Sequence, residues 1–153
     1  MQEKKTYVIY TDGACKGNPG HGGWGVYIKL KDKSIKELFG YEKLTTNNKM
    51  ELTAAIKSLE YFKYQENITL FTDSNYLKQG ITIWINSWKK NSWKNNQNKT
   101  IKNLELWQRL DYLNQFHNVE WNWVKAHDGN FGNEKADQLA NKAIELNLSS
   151  LLS

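Results

Sequence analysis

The sequence predicts an α/β protein built on a five-stranded mixed sheet that is flanked by helices. Two observations lead to this prediction. Strand-like segments follow one another through short turns in the first part of the chain, which indicates an antiparallel meander. A segment of helical period then precedes a further strand, and a strand reached through a crossover helix is most simply parallel to the first. The predicted sheet therefore combines an antiparallel meander with parallel strands.

The first predicted strand, residues 6–13, reads TYVIYTDG and is rich in β-branched and aromatic residues. Such residues suit a buried central strand. Asp12 stands where this strand ends, at the edge of the sheet where α/β proteins collect ligands. We therefore expect other functional side chains to meet Asp12.

Residues 13–23, GACKGNPGHGG, concentrate glycines and the only proline of the chain. This punctuation predicts a turn, with a second strand over 24–30 completing a hairpin. A phosphate-binding loop is the alternative, but no Gly-Lys-Ser/Thr follows and residues 24–30 alternate as a strand does. A polar turn at 31–34 then leads to a third strand over 35–41.

Residues 45–63, TTNNKMELTAAIKSLEYFK, change to a helical period. Thr46 or Asn47 is expected to cap the start of this helix. Glu51 is expected in the first turn beside the buried face, where the helix dipole favours its charge. An ordinary glutamate near a helix N-terminus is the alternative interpretation.

A fourth strand over 67–72 ends at Asp73 in the same way that the first strand ends at Asp12. If these strands are parallel neighbours, the two aspartates lie side by side. Ser74 is expected to cap a short helix that runs through Gly80.

No acidic residue lies between Asp73 and Glu105, and the lysines in this gap are Lys78, Lys89, Lys90, Lys94, Lys99 and Lys102. The whole chain carries a formal net charge of +5 and a pI of about 9.1. A local positive field of this kind attracts a polyanion.

Three tryptophans, Trp84, Trp88 and Trp93, stand among these lysines. A solvated helix with its tryptophans packed inward is one interpretation of residues 81–102. The other is a protruding nucleic-acid handle, in which lysines contact phosphates and tryptophans brace the projection or stack on sugars and bases. The two interpretations are compatible.

An amphipathic helix is predicted over 103–116 and a fifth strand over 119–124. Trp121 and Trp123 share one face of that strand and are expected in the core. A Gly/Asn-rich loop, KAHDGNFGNEK, follows and contains His127.

The last predicted helix has a buried stripe formed by Ala136, Leu139, Ala140 and Ala143. Asp137 lies beside this stripe. Together, Asp12, Glu51, Asp73 and Asp137 are expected to converge, and uncompensated carboxylates in contact would repel one another. A bound divalent cation would offset this repulsion. Oxygen ligands suit Mg²⁺ or Mn²⁺, and the chain has no Cys/His cluster for zinc.

The 153 residues predict one domain, with a core from about 5 to 146 and a short tail over 147–153. No apolar run reaches the length of a signal peptide or a membrane span, so we expect a cytoplasmic protein without a membrane partner. The single cysteine, Cys15, cannot form an internal disulfide. A monomer is the default expectation.

The segments YTDGACKGNPG, TTNNKMEL, FTDSNYLKQGI and VKAHDGNFGNEKAD resemble the motifs of the type 1 ribonuclease H family, in order and in spacing. Residues 84–94 also resemble the basic protrusion of bacterial members. The resemblance implies the ribonuclease H fold and an endonuclease that cuts the RNA strand of an RNA/DNA hybrid. It further implies a two-metal-ion mechanism that leaves 5′-phosphate and 3′-hydroxyl ends.

By position, Asp12, Glu51, Asp73 and Asp137 match the family's metal-binding carboxylates. The resemblance implies two Mg²⁺ ions with substrate, with Mn²⁺ as a substitute. His127 matches a loop histidine that assists proton transfer or product release.

The positions that match the family's contacts to the hybrid are Cys15, Asn18, Thr46, Asn47, Asn75, Trp84, Trp88, Lys89, Lys90, Trp93 and Lys94. The sequence departs from the family pattern at Leu44, where some relatives have a basic residue, and at Ala126 and Asp128 beside the histidine. Lys43 is the candidate substitute for the missing basic residue.

A non-catalytic hybrid-binding or duplex-binding module of the same fold is the main alternative, and the intact set of four acids argues against it. A structural cation site is a weaker alternative, because the sequence has no EF-hand spacing. A nuclease or transposase that attacks DNA on this fold is disfavoured by the motif match.

Overall fold

The computed structural model describes residues 6–152, with side chains described as far as residue 148. The strands are β1 Tyr7–Lys16, β2 Gly20–Lys29, β3 Ile35–Thr45, β4 Asn67–Thr72 and β5 Asn118–Trp123. The helices are α1 Asn47–Glu60, α2 Asn75–Gln79, α3 Ile85–Lys90, α4 Leu104–Phe116 and α5 Phe131–Leu152, and a π-helical turn, Gly80–Trp84, joins α2 to α3.

The five strands form one sheet in the order β3-β2-β1-β4-β5. Strands β1, β2 and β3 are antiparallel neighbours, whereas β4 is parallel to both β1 and β5. This arrangement confirms the predicted mixed sheet. Helix α1 carries the chain from β3, at one edge of the sheet, across to β4, which pairs with β1.

The two faces of the sheet are covered by different helices. Val26 and Ile28 belong to the main core cluster that α1 and α4 complete. Gly23 and Gly25 face the other side, where α5 comes so close that a β carbon on Gly23 would lie 2.2 Å from the Ala140 carbonyl oxygen. Helix α5 therefore packs directly on the backbone of β2.

The predicted hairpin is present, but its turn is shorter than the glycines suggested. Strand β1 continues to Lys16 and β2 begins at Gly20, so most of the 13–23 segment is strand. Gly23 and Gly25 of β2 are needed for the close approach of helix α5, and the sequence alone does not separate that role from a turn.

Helix α5 begins inside the predicted loop and continues through most of the predicted tail. The Asn130 side-chain oxygen accepts a hydrogen bond from the backbone N–H of Asn133 at 2.9 Å, which starts the helix at Phe131. The helix then runs to Leu152, so most of the residues expected as a short tail extend it.

Residues 81–102 are neither one helix nor a free arm. The π-helical turn and α3 are followed by an irregular stretch in which Ser92, Trp93 and Asn98 have positive φ. Trp88 and Trp93 are half-buried against the core, whereas Trp84 is 38% exposed. The tryptophans thus fix this segment, called the basic handle below (residues 81–102), to the body of the protein.

One core prediction is wrong. Trp121 packs against the core and donates to the Asn114 side-chain oxygen at 2.9 Å, but Trp123 is 41% exposed. Trp123 is the last residue of an edge strand, and helix α4 covers only the part of β5 that holds Trp121. Over residues 6–152, no helix combines the length and the hydropathy that a membrane span requires.

Candidate metal centre

Asp12 and Asp73 come together where the parallel pairing of β1 with β4 ends. The prediction that the first strand itself ends at Asp12 is wrong, because β1 continues to Lys16 through its pairing with β2. Thr11 of β1 pairs with Thr72 of β4, and each threonine is followed directly by one of the two aspartates. Asp12 is 4% exposed, and Asp73 is partly exposed. The indole Nε1 of Trp123 donates to the backbone oxygen of Asp73 at 3.1 Å, so β5 also helps to fix this strand end.

Helix α1 supplies the third acid. Its N-cap is Thr46, whose side-chain oxygen accepts from the Lys49 N–H at 3.2 Å. The first turn contains no acidic residue and Glu51 follows it, so the expectation of a first-turn glutamate is wrong. Glu51 is also buried, at 7% exposure, because the glycine at position 13 lets α1 lie against β1.

Asp12, Glu51 and Asp73 each offer a carboxylate oxygen, and these three oxygens lie within 4.8 Å of one another. Asp137, from the first half of α5, is close enough to the group to add, after burial, to the raised pKa of both Asp12 and Glu51. The structure therefore brings all four predicted acids to one place, with three in the tightest group.

The electrostatics of this group fit a divalent cation. Burial, followed by the charge of Glu51, raises the pKa of the Asp12 carboxyl, and burial raises the pKa of Glu51. Oε1 of Glu51 accepts the Gly13 N–H at 2.9 Å, but Oε2 is buried without a hydrogen-bond partner. A bound cation supplies both the missing partner and the missing positive charge, and an all-oxygen site suits Mg²⁺ or Mn²⁺.

Two asparagines of α5 contact the acids, and neither was identified from the sequence. The Asn133 amide nitrogen donates to Oδ2 of Asp73 at 3.2 Å, and Asn133 is 3% exposed. The Asn141 amide nitrogen donates to Oδ1 of Asp137 at 3.2 Å. Both asparagines stand four residues from Asp137, which places all three on one helix face; that spacing was the available signal.

The predicted hybrid-contacting residues near the β1–β2 turn gather beside the start of α1. The Asn18 side-chain oxygen accepts the Asn47 N–H at 3.0 Å. The Cys15 thiol donates to the Thr45 carbonyl oxygen at 3.4 Å, next to the capping residue Thr46. The turn and the helix start therefore form one surface beside the acids.

Two further predicted site residues, Asn75 and His127, are exposed. Asn75 is exposed at the start of α2, directly after Asp73 and Ser74. His127 is exposed in the loop between β5 and α5, with a positive φ of 55°. Leu44, which stands where some relatives have a basic residue, is 73% exposed.

The lysines of the basic handle differ from one another. Lys89 forms an ion pair with Asp111 at 3.1 Å, and this pair partly neutralises the lysine charge. Lys90 and Lys94 are exposed, and neither takes part in an ion pair among residues 6–148. These two ammonium groups are therefore available to an anionic partner.

The profile of the family described as RNase H matches residues 4–145. A protein called ribonuclease H from Francisella tularensis subsp. novicida (strain U112) is 56% identical over 144 residues, which cover 94% of each chain. A ribonuclease H from Francisella philomiragia subsp. philomiragia is 56% identical over 142 residues, covering 93% of each chain.

Solved structures show the same similarity. LC9-RNase H1, described as a type 1 RNase H with the type 2 active-site motif, matches with a TM-score of 0.82 at 30% identity and covers 95% of this chain and 74% of its own. RNase H1 from the halophilic archaeon Halobacterium salinarum NRC-1 matches with a TM-score of 0.67 at 27% identity, covering 92% and 98%. By sequence and by fold, this chain belongs to the ribonuclease H family.

Proposed function

We propose that this protein is an endonuclease that hydrolyses the RNA strand of RNA/DNA hybrids and leaves 5′-phosphate and 3′-hydroxyl ends. The observation that carries the proposal is the group of Asp12, Glu51 and Asp73, whose oxygens lie within 4.8 Å of one another in a chain of the ribonuclease H family. The names of its relatives, which are 56% identical, support the same activity.

Asp12, Glu51, Asp73 and Asp137 are the residues that would hold divalent cations, and we propose Mg²⁺, with Mn²⁺ as a substitute. When bound on either side of the scissile phosphate, two such ions activate a water molecule and stabilise the charge on the leaving oxygen. The buried, unpartnered Oε2 of Glu51 supports this assignment. His127, exposed on its loop, would carry a proton on an imidazole nitrogen or aid product release.

Substrate binding is proposed to use three parts of the surface. Neutral groups near the β1–β2 turn and at the two helix starts would contact the sugar-phosphate backbone; they are Cys15, Asn18, Thr46, Asn47 and Asn75. Lys90 and Lys94 of the basic handle would contact phosphates, with a smaller contribution from Lys89. Trp88 and Trp93 would brace the handle, and the exposed Trp84 would contact the substrate.

Recognition of a hybrid requires a protein to detect 2′-hydroxyls on one strand and their absence on the other, without reading base sequence. Hydrogen-bonding side chains such as Asn18 and Asn47 suit that task because amides both donate and accept. We further propose that the chain acts as a single-domain monomer in the cytoplasm.

A 5′-labelled RNA tests the function when it is presented alone, paired with DNA and paired with RNA, each with Mg²⁺ or with EDTA. Cleavage of the hybrid alone, and only with metal, is the expected result. Salt-sensitive binding of the hybrid without any cleavage would instead support the alternative, a non-catalytic hybrid-binding or duplex-binding module of the same fold.

A further inference from the structure

We propose that Asn133 is a positioning residue that orients the Asp73 carboxylate for cation binding and ties the start of helix α5 to the candidate metal centre. Its amide nitrogen donates to Oδ2 of Asp73 at 3.2 Å across a separation of 60 residues. Asn133 is 3% exposed, so this amide has little access to water as an alternative partner. The inference rests on the proposed function.

The position of Asn133 is fixed from two sides. Its backbone N–H donates to the side-chain oxygen of Asn130, the residue that caps α5, at 2.9 Å. The preceding residue, Gly132, lies so close to β1 that a β carbon there would be 2.3 Å from ring atoms of Tyr10. The start of α5 is thus held against the strand that carries Asp12, and Asn133 reaches the neighbouring strand end.

The chemistry of an amide suits this position. Asn133 donates a hydrogen bond without adding charge, so the group of acids keeps its full attraction for a cation. A lysine or arginine would donate equally well, but its positive charge would neutralise Asp73 and compete with the metal. An ionised carboxylate has about four acceptor sites, so one bond from Asn133 leaves room for a cation.

The same hydrogen bond links the His127 loop to the metal centre. The loop runs from the end of β5 to Asn130. The side-chain oxygen of Asn130 accepts the capping hydrogen bond from the backbone N–H of Asn133. Loss of the Asn133 amide would free the Asp73 carboxylate to rotate. Residues that orient metal ligands in this way commonly change metal affinity by about 10-fold to 100-fold when they are replaced.

Isothermal titration calorimetry with Mn²⁺, without nucleic acid, tests the proposal on the full chain. Asn133→Leu removes the donor with little change of size, and Asn133→Ala removes it with a smaller side chain; neither adds charge. We expect Mn²⁺ affinity to fall about 10-fold or more in both variants. Asn147→Ala is the matched control, because Asn147 lies on the same helix and donates to the backbone oxygen of Ala143 at 2.8 Å rather than to an acid.

A double-mutant cycle separates positioning from general support of the fold. In an Asp73→Asn background, Asn133→Ala should change Mn²⁺ affinity by less than about twofold, because the carboxylate on which it acts is gone. A lower melting temperature in EDTA with unchanged Mn²⁺ affinity would overturn the proposal, as would loss of the fold in both single variants. If the unaltered chain itself fails to bind Mn²⁺, the proposed function fails and takes this inference with it.

Discussion

The backbone N–H of Gly13 donates a hydrogen bond to Oε1 of Glu51 at 2.9 Å, where β1 meets α1 with no space for a side chain. A β carbon on Gly13 would lie 2.5 Å from the Glu51 nitrogen and 2.6 Å from the Met50 carbonyl carbon. Because both are backbone atoms, no side-chain rotation relieves the clash. Gly13 thus determines how near the glutamate comes to the two aspartates.

Gly13→Ala is therefore expected to lower the free energy of unfolding by about 1 to 3 kcal/mol, measured by urea denaturation, and to weaken Mn²⁺ binding. Gly129→Ala is the control: it has a positive φ of 78° but nothing within 4 Å of the added carbon. It should cost stability through backbone strain alone and leave Mn²⁺ affinity unchanged. Normal stability and Mn²⁺ affinity in Gly13→Ala would contradict this account of the close approach.

Asp12→Asn is expected to abolish cleavage and, in EDTA, to raise the melting temperature. Burial and the Glu51 charge raise the pKa of Asp12, so the folded chain holds a proton that the unfolded chain releases above about pH 4. The stability of the metal-free protein therefore falls as the pH rises from that value, and the asparagine removes part of this loss. The increase in melting temperature should be larger at about pH 8 than at about pH 5.

Asp32→Asn provides the comparison for that experiment. Asp32 is an exposed acid whose carboxylate accepts hydrogen bonds from Ser34, and these bonds lower its pKa. Neutralising it should give no increase in melting temperature. A large loss of stability in Asp12→Asn, in place of a gain, would make Asp12 a structural residue.

His117 is expected to make the protein less stable in mild acid. The ring is 4% exposed; Nδ1 accepts the Glu66 N–H, and Nε2 bonds to the Leu59 carbonyl oxygen, both at 3.1 Å. Burial lowers its pKa, so below about pH 6.5 the unfolded chain binds more protons than the folded chain does. Stability from this group is therefore lost as the pH falls.

His117→Gln should reduce the free energy of unfolding at pH 8 by about 1 to 3 kcal/mol, because buried hydrogen bonds are removed. Between about pH 7 and pH 5 the variant should lose less stability than the parent does. Urea denaturation of both proteins in EDTA measures this difference. The acids of the metal centre contribute equally to the two pH profiles, so their contribution cancels. Parallel pH profiles would show that His117 does not titrate with unfolding.

Lys90 and Lys94 are expected to contribute to hybrid binding by neutralising phosphates. Replacing either with alanine should weaken binding and reduce the slope of log K against log salt by about 0.7 to 0.9 for each phosphate that is no longer neutralised. Lys89→Ala should have a smaller effect, because Asp111 already pairs with that ammonium group at 3.1 Å. Lys36→Ala, at the opposite end of β3 from Thr45, should leave the slope unchanged. If the slope is unaltered in both Lys90→Ala and Lys94→Ala, these two lysines of the basic handle do not contact phosphates of the hybrid.

The tryptophans of the handle should divide between stability and binding. The Trp88 ring lies 5.3 Å from that of Trp107 in the core, so Trp88→Ala is expected to cost about 3 kcal/mol of unfolding free energy. Trp84 is 38% exposed, so Trp84→Ala should lower the unfolding free energy by less than Trp88→Ala does. It should, however, weaken hybrid binding. Chemical denaturation and fluorescence-anisotropy titration distinguish the two effects. Equal loss of stability in both variants would assign Trp84 to the core as well.

Local patterns predicted the elements that depend on local chemistry. The meeting of Asp12 and Asp73 was identifiable because a strand-forming run precedes each of them and parallel pairing of the two strands sets them side by side. The true end of β1 at Lys16 was not identifiable, because the glycines after Asp12 resemble a turn. The burial of Glu51 was not identifiable, because it depends on a glycine that is distant in sequence. The role of Asn133 depends in the same way on a hydrogen bond across 60 residues. The basic handle has no periodic pattern, and its irregular backbone follows from tryptophan packing.

The four acids come from β1, α1, the end of β4 and α5, so no short stretch of the chain contains the centre. A cation that needs all of them binds the folded state and not the unfolded one. At about 100 times its dissociation constant, such an ion adds about 2.7 kcal/mol to the free energy of unfolding. Divalent ions would then act as a ligand that holds the domain together, and a chelator would behave as a mild denaturant of the intact chain.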